Sequence, residues 1–271
     1  MDGPAVTRRE VLRDPDGGPA EADAVAVEEP LEIRVGGEPL VITMRTPGED
    51  RFLAVGLLFA EGVLESLADV GTVAHCGRAG DEGFENVIDL TAGPGVALDA
   101  SRLEGTRRGT LTTASCGVCG RRSIDDLLAR IGPLDHARKV PRAIARAAPE
   151  ILARSQDAFP RTGGVHAAAA LTADGALLAA AEDVGRHNAV DKVVGKLLYA
   201  GTLTDAALLV VSGRVSFEIV QKAAAARVGV VVAVSAPTSL AIDLARRASM
   251  ALVAFARDGR MNVYAGAERL E

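Results

Sequence analysis

The chain has 271 residues, of which 48% are hydrophobic, and its formal net charge is −6. This length suffices for one large domain or two ordinary ones, and the negative charge argues against a general nucleic-acid binder. No apolar run reaches the ~18 residues of a membrane span and no signal peptide begins the sequence, so we expect a cytoplasmic protein without a membrane partner.

The sequence of the first half predicts a flexible N-terminal segment followed by a small α+β domain. Residues 1–26 include the stretch DPDGGPAEAD and predict a flexible or poorly placed N-terminus. LEIRVGG and EPLVITMRT alternate apolar and polar residues around Gly36 and Gly37, which predicts a β-hairpin. A helix should start near Asp50, and two strands should follow. The first of these two strands, in DVGTVAHCG, contains Cys76, which we interpret as a buried small side chain.

The second half alternates helices with continuous apolar strands. The sequence around Pro149 predicts that this proline lies in the first turn of a helix. Hairpins are predicted at Asp174-Gly175 and at Asp258-Gly259, and three Val, Leu and Ala-rich strands are each followed or preceded by a helix. This alternation predicts a parallel or mixed sheet covered on both faces, and hence an α/β or mixed α+β fold. We expect an N-terminal α+β domain over 27–135 and a second domain over 136–271.

A glycine-rich loop, TTASCGVCGRRS, contains Cys116 and Cys119, with Arg107 and Arg108 just upstream. A structural zinc site needs four ligands, and the one remaining cysteine is Cys76, so we expect no metal. A thioredoxin-like redox pair would normally open a helix directly after a strand, which is not predicted here. Nucleophilic sulfur chemistry is the third interpretation, because neighbouring arginines favour the reactive thiolate.

Several polar segments follow predicted strands, where ligands commonly bind in α/β folds. EDVGRHNAVDK crowds ionisable groups, among them His187, around a strand-to-helix turn. SGRVSFE, with Ser212, Gly213 and Arg214, and SAPTS, with Ser235, each start a helix and suit phosphate, although both serines also fit plain helix caps. His166, in GGVHAAAAL, is more typical of a core histidine.

The segment FARDGR places two arginines about a tight turn, which is either a bare turn or an anion clamp. With SCGVCG, GGVHAAAAL, EDVGRHNAVDKVVG, SGRVSFEIVQKA and SAPTSLAIDLA, it completes an ordered set of motifs. The chain therefore resembles the formate dehydrogenase accessory sulfurtransferases, the FdhD family, from about residue 27 to its end.

This resemblance implies a cytidine-deaminase-like C-terminal domain with an additional N-terminal domain, and a homodimer. It also implies a sulfurtransferase that takes sulfur from a cysteine desulfurase and passes it to the bis-guanine-dinucleotide form of the molybdenum cofactor, as formate dehydrogenase requires. Cys116 would carry the persulfide, with Cys119 as its partner. GDP would serve as an analogue of the cofactor. The implied cofactor-binding residues are Phe255, Ala256, Arg257, Asp258, Gly259 and Arg260, to which we add Ser212, Gly213, Arg214 and His187.

Two competing functions follow from the same features. A zinc-dependent deaminase needs H-x-E and a downstream P-C-x-x-C, but Ala167 and Ala168 follow His166, and the CxxC lies upstream without a proline. Deamination is therefore not encoded. A non-catalytic chaperone that only holds the cofactor remains open, since only the paired thiols argue against it.

Overall fold

The structure, a computed structural model, describes residues 4–12, 20–77, 83–98, 125, 128–135 and 137–271. Within these residues the chain forms three β-sheets and a set of α-helices, a mixed α/β architecture. Short 3-10 turns occur at Leu67–Asp69, Phe84–Asn86, Leu203–Asp205 and Ala267–Arg269.

The first half is built on a four-stranded sheet. Its strands are β3 (Glu29–Val35), β4 (Glu38–Arg45), β5 (Val70–His75) and β6 (Val87–Ala92), in the spatial order β4-β3-β6-β5. The β3–β4 hairpin turns at Gly36 and Gly37, both with positive φ, as the sequence predicts. Helix α1 (Asp50–Ala60) packs on this sheet, and Leu31, Ile33, Leu53 and Leu58 are fully buried between them.

The N-terminal segment is more ordered than its composition predicts. Strands β1 (Val6–Val11) and β2 (Glu21–Ala26) pair antiparallel along their whole length. Val6 is buried against Ala158 and Val165, so a small apolar cluster fixes this hairpin to the second half. The expectation of a poorly placed stretch over residues 1–26 was therefore wrong for these two strands, because Ala158 and Val165, which are distant in sequence, pack against Val6 and bury it.

The second half is built on a six-stranded mixed sheet, as the sequence predicts. Its spatial order is β12-β11-β10-β9-β7-β8, with β9, β10 and β11 parallel and the other pairs antiparallel. The strands are β7 (His166–Leu171), β8 (Leu177–Asp183), β9 (Leu208–Val211), β10 (Val230–Ala233), β11 (Ala251–Arg257) and β12 (Arg260–Ala265). Strands β9 and β10 are buried along their whole length, as expected for a sheet covered on both faces.

Helices cover both faces of the large sheet. One face buries a core beneath α4 (Arg186–Ala200), α5 (Phe217–Ala225) and α6 (Ser239–Arg247). The other face packs against α2 (Arg142–Arg154), beyond which lies the single-turn helix α3 (Phe159–Thr162). The prediction that Pro149 starts a helix was wrong: α2 begins seven residues earlier, after Pro141, and Pro149 lies inside it. Buried Ala145, Ala148 and Leu152 hold that face of α2 against the sheet in spite of the missing amide.

Helices α1 and α4 join the two halves by an unusually close crossing. A Cβ placed on Gly56 would lie 1.9 Å from the backbone oxygen of Asp191, and one on Gly195 would lie 2.0 Å from that of Phe52. Only glycine at both positions lets the two helix backbones touch. The same crossing sets α4, and the polar residues at its start, in a fixed position relative to the four-stranded sheet.

Candidate functional site

One edge of the six-stranded sheet collects the polar segments that the sequence singles out. The parallel strands β9, β10 and β11 all end there, and they are followed or ended by Ser212, Ser235 and Arg257. Because β7 runs antiparallel to β9, its first residue, His166, lies at this edge too, beside the end of β8. Segments that are far apart in sequence therefore share the edge where α/β folds commonly bind ligands.

A cavity of about 630 Å³ opens at the β11–β12 end of this edge. Its lining residues are Phe255, Arg257, Asp258, Arg260 and Asn262. Four of them belong to the FARDGR segment that the sequence identifies. The two other residues of that segment support the cavity: Ala256 is fully buried behind it, and Gly259 forms the turn with φ +70°.

The turn that carries the cavity has the geometry expected of an Asp-Gly hairpin. Asp258 and Gly259 both have positive φ, 52° and 70°, which is the backbone of a two-residue type I′ turn. Arg257 and Arg260 are paired directly across it, so both guanidinium groups leave the same end of the hairpin. The cavity therefore presents two arginines against one aspartate, a locally positive site in a chain with a net charge of −6.

Phe255 is turned outward by a break in the β11–β12 pairing. The register shifts between Ala254 and Arg257, Phe255 has φ 52°, and its side chain is 39% exposed. A bulge commonly re-aims a side chain at a functional site, and a bulky residue rarely adopts positive φ without a reason. The N–H of Phe255 donates to the carbonyl of Ser235 at 3.1 Å, which anchors the bulge to the neighbouring strand end.

Asn262 is the cavity residue that sequence reasoning missed. The strand periodicity of the sequence could have identified it, because alternate residues of a strand point to the same face. In β12 both Arg260 and Asn262 are exposed, just as Phe255 and Arg257 are in β11. The cavity thus offers an aromatic face, guanidinium donors and a side-chain amide, which suit the base and the phosphates of a nucleotide.

Most of the ionisable residues in the EDVGRHNAVDK segment stabilise the fold. The Nζ of Lys192 lies 2.7 Å from Asp183, and the Nζ of Lys222 lies 2.7 Å from Asp191, and all four side chains are buried. Glu182 accepts hydrogen bonds from three consecutive backbone N–H groups at the start of α3. These contacts satisfy the charges of buried groups and the backbone N–H groups at a helix start.

His187 does make a polar contact at the ligand edge, near Ser212, Gly213 and Arg214. Its Nε2 lies 2.7 Å from the carboxylate of Glu218 and 3.1 Å from the Oγ of Ser216. Both partners meet the same nitrogen, so this is not a Ser–His–acid relay, which uses the two ring nitrogens separately. Burial lowers the pKa of His187 below its usual value, more than Glu218 raises it.

Ser212 is a structural residue at this edge. Its Oγ accepts the N–H of Ala167 at 2.9 Å, and its own N–H donates to the carbonyl of the same residue. Ser212, Gly213, Arg214 and His187 do not line the Phe255–Asn262 cavity, since they follow β8 and β9 at the other end of the edge. His166, expected in the core, is only half-buried at the start of β7.

Comparisons with known proteins match this chain over nearly its full length. A sequence model of the FdhD/NarQ family matches residues 26–271. A protein from Anaeromyxobacter dehalogenans named "Sulfur carrier protein FdhD" is 57% identical, over 98% of this chain and 94% of the relative. Relatives of the same name from Streptomyces coelicolor and Mycobacterium tuberculosis are 47% and 46% identical, covering 99% and 92% of this chain and 96% and 92% of their own lengths. The chain belongs to the FdhD/NarQ family.

A solved structure shows the same fold. It belongs to a protein from Desulfotalea psychrophila described as a formate dehydrogenase accessory protein, with 24% identity, a TM-score of 0.74 and 98% of each chain covered. In the described part of this FdhD/NarQ chain, no helix is long and apolar enough to cross a membrane.

The two cysteines that sequence analysis proposes as catalytic, Cys116 and Cys119, lie outside the described residues of this FdhD/NarQ chain. The third, Cys76, is placed differently from the prediction. Strand β5 ends at His75, and Cys76 follows it as a partly exposed residue whose N–H donates to Val87 at 3.0 Å. The Cys76 backbone still extends the β5–β6 pairing by one hydrogen bond, but its side chain is not in the core.

Proposed function

We propose that this protein is a sulfurtransferase that carries sulfur as a persulfide on Cys116, with Cys119 as the second thiol. The sulfur would come from a cysteine desulfurase and pass to the bis-guanine-dinucleotide form of the molybdenum cofactor, for use by formate dehydrogenase. Membership of the FdhD/NarQ family and the names of the relatives support the sulfur-carrier role.

The cavity at Phe255–Asn262 is the observation that carries the proposal furthest. The exposed ring of Phe255 offers a stacking surface for a purine base. Arg257 and Arg260 offer charge-assisted hydrogen bonds to phosphate, worth about 1.5–3 kcal/mol each. A guanosine diphosphate group combines a flat base with two phosphates, so its chemistry matches this lining.

Sulfur acceptance requires only a thiolate on this chain. The Cys116 thiolate attacks the terminal sulfur of the persulfide on the desulfurase, the bond between the two donor sulfurs breaks, and the desulfurase cysteine leaves as its thiolate. The product is a persulfide on Cys116, so no external oxidant or reductant is needed. Arg107 and Arg108, close in sequence, favour the thiolate electrostatically.

The same proposal includes the organisation of the molecule. We assign residues 27–135 and 136–271 to two domains, the second of cytidine-deaminase-like architecture. The helix-covered mixed sheet supports that assignment. A homodimer working in the cytoplasm completes the proposal. A chaperone that binds the cofactor without carrying sulfur is the alternative, and it shares the nucleotide cavity but not the persulfide.

Titration of GDP by calorimetry tests the nucleotide cavity. Arg260→Ala removes one of the two guanidinium groups, so GDP affinity should fall by about ten- to a hundredfold. Arg142→Ala is the matched control, because Arg142 is an exposed arginine on α2, on the opposite face of the sheet. GDP binding that is equally tight in the wild type, Arg257→Ala and Arg260→Ala would place the nucleotide elsewhere.

A further inference from the structure

Two polar pairs, one helical turn apart, connect α4 to α5. The Nε2 of His187 lies 2.7 Å from the carboxylate of Glu218. One turn further along both helices, the Nζ of Lys222 donates to the two carboxylate oxygens of Asp191, at 2.7 and 2.9 Å. Residues four apart in a helix lie on the same face, so Glu218 and Lys222 are neighbours on α5. Of these four residues, only His187 is among those proposed to bind the cofactor, and Glu218 has no assigned role.

Glu218 meets His187 as an ionised carboxylate. Burial alone would raise the pKa of Glu218, but the hydrogen bond with His187 and the charges of His187, Lys222 and Arg186 outweigh burial and lower that pKa below its usual value. An ionised carboxylate only accepts hydrogen bonds, so the atom that it contacts has to carry a proton. An unprotonated Nε2 would instead set its lone pair against the carboxylate oxygen at 2.7 Å. The ring proton of His187 therefore lies on Nε2.

The other ring nitrogen of His187, Nδ1, forms no hydrogen bond within the described part of the chain. The hydrogen bond that the ring makes to Ser216 uses Nε2, and Nδ1 is not one of the fully buried polar atoms that lack a partner there. Nδ1 is therefore open to a ligand. Burial, the largest cause, lowers the pKa of His187, so the ring is neutral near physiological pH and Nδ1 keeps its lone pair. His187 thus presents a hydrogen-bond acceptor at the ligand edge, and no positive charge.

We propose that Glu218 is a positioning residue, which holds His187 with Nδ1 free to accept a hydrogen bond from an N–H or O–H group of the ligand. The inference rests on the proposed function, which brings a ligand with such groups to the ligand edge. The guanine base of the nucleotide and the pterin ring of the cofactor share an amide N–H beside an amino group, so both carry the donors that His187 requires. Glu218 contacts His187 and needs no contact of its own with the ligand.

Nitrogen NMR of the His187 ring tests the positioning step on the free protein. At about pH 7.5, above the usual histidine pKa, Nε2 should carry the proton and Nδ1 should not. Glu218→Gln keeps the shape of the side chain, but its amide can donate as well as accept, so part of the His187 population should move its proton to Nδ1. Glu150→Gln, which alters an exposed residue on α2, is the matched control and should leave the tautomer unchanged. A wild-type ring protonated on Nδ1, or an unchanged tautomer in Glu218→Gln, overturns the inference.

Calorimetric titration of GDP and of free pterin, at constant pH and ionic strength, tests the recognition step. Glu218→Gln should weaken the binding of at least one probe by about two- to tenfold, which corresponds to one hydrogen bond. The same substitution in a His187→Gln background should have almost no further effect, because Glu218 acts only through His187. Weaker GDP binding identifies the guanosine group as the donor, and weaker pterin binding identifies the pterin. Equal affinities of wild type and Glu218→Gln for both probes, or an undiminished effect in the His187→Gln background, overturn the inference.

Two further measurements separate this inference from the proposed function. In the complex with the bound probe, Nδ1 of His187 should stay unprotonated; a proton on Nδ1 would mean that the ring donates to a phosphate oxygen, contrary to the inference. If Arg260→Ala weakens GDP binding while Glu218→Gln changes neither probe, the proposed function stands and Glu218 is only structural. If the folded wild type binds neither GDP nor pterin, the proposed cofactor site fails, and recognition through His187 fails with it.

Discussion

The Nζ of Lys192 lies 2.7 Å from the Oδ2 of Asp183, with both side chains almost completely buried. The pair links the two halves of the molecule. Asp183 also accepts the N–H of Thr46 at 3.1 Å, and Lys192 donates to the carbonyl of Thr46 at 2.8 Å. Asn188, between them in sequence, donates to the carbonyl of Met44 at 2.7 Å. The end of β4 is thereby fixed to the start of α4, next to the ligand edge.

Lys192→Met should destabilise the protein strongly, because it leaves Asp183 buried without its cation. Breaking one partner of a buried pair typically costs about 3–5 kcal/mol, and burial already raises the pKa of Asp183 even with Lys192 in place. Urea unfolding measures the loss. The control is Lys196→Met, one turn further along α4, where the lysine is partly exposed beside Glu49 and should contribute less than about 1 kcal/mol. Equal losses for the two variants would contradict this account.

Gly195→Ala should disrupt the crossing of α1 and α4. The added Cβ would lie 2.0 Å from the Phe52 carbonyl, and backbone on both sides leaves no flexible atom to move. We expect a loss at or above the upper end of the about 1–3 kcal/mol that overpacking usually costs. Gly164→Ala is a milder comparison, because its nearest neighbour is the Ala26 methyl group at 3.1 Å. A thermal unfolding midpoint for Gly195→Ala as high as that of Gly164→Ala would show that the helices can separate without cost.

Local sequence patterns predict the elements of this fold better than their long-range partners. The apolar runs that became β9 and β10, and the Asp258-Gly259 turn, depend on neighbouring residues and were predicted as observed. The β1–β2 hairpin depends on Val6 meeting Ala158 and Val165, which no local pattern shows. The start of α2 was missed for the same reason, since a proline is tolerated where tertiary packing holds the helix.

The contribution of two histidines to the stability of the protein should be lost as the pH decreases below about 6.5. Burial, the largest cause in both cases, lowers the folded-state pKa of His166 and His187 below the usual value of 6.5. A depressed pKa means that the stabilisation is complete above the unfolded-state pKa and is lost as protons bind the unfolded chain preferentially. His187→Gln removes one of these contributions. The free energy of unfolding should therefore fall more on acidification in the wild type than in the variant.

The difference between the two proteins is the informative quantity, because other buried groups titrate in the opposite sense. Burial raises the pKa of Asp191 to about 6 despite Lys222, and this carboxyl contributes stability that is lost as the pH rises. Asp191 is present in both proteins, so the comparison cancels much of its effect. Proton NMR of the four histidines provides a direct check. The resonance missing from His187→Gln should titrate below 6.5 in the wild type, and a titration at or above that value would refute the prediction.

The sequence predicts which polar residues gather at the candidate site, but not which of them stabilise the fold. The sequence indicates that ionisable groups gather around Gly185, but it does not separate Asp183 and Lys192, which stabilise the fold, from Arg186, whose Nε has no hydrogen-bond partner among the described residues. That distinction depends on which atoms meet in three dimensions. The residues of FARDGR were easier to assign, because a tight turn keeps sequence neighbours together in space.

Cys116→Ala should abolish persulfide formation, because the proposed acceptor sulfur is then absent. Wild-type protein incubated with a cysteine desulfurase and L-cysteine should gain one sulfur atom on the peptide that contains Cys116, as read by mass spectrometry under non-reducing conditions. Cys119→Ala should retain more of the persulfide than Cys116→Ala does. In a strain whose own copy of the protein is deleted, Cys116→Ala should leave formate dehydrogenase inactive.

Cys76→Ser is the matched control, since it alters a partly exposed cysteine after β5 and should load sulfur normally. Unchanged GDP binding by Cys116→Ala would show that the variant is folded. A Cys116→Ala protein that still loads sulfur and still matures formate dehydrogenase would exclude this cysteine as the carrier, and full nucleotide binding without any persulfide in the wild type would favour the chaperone instead.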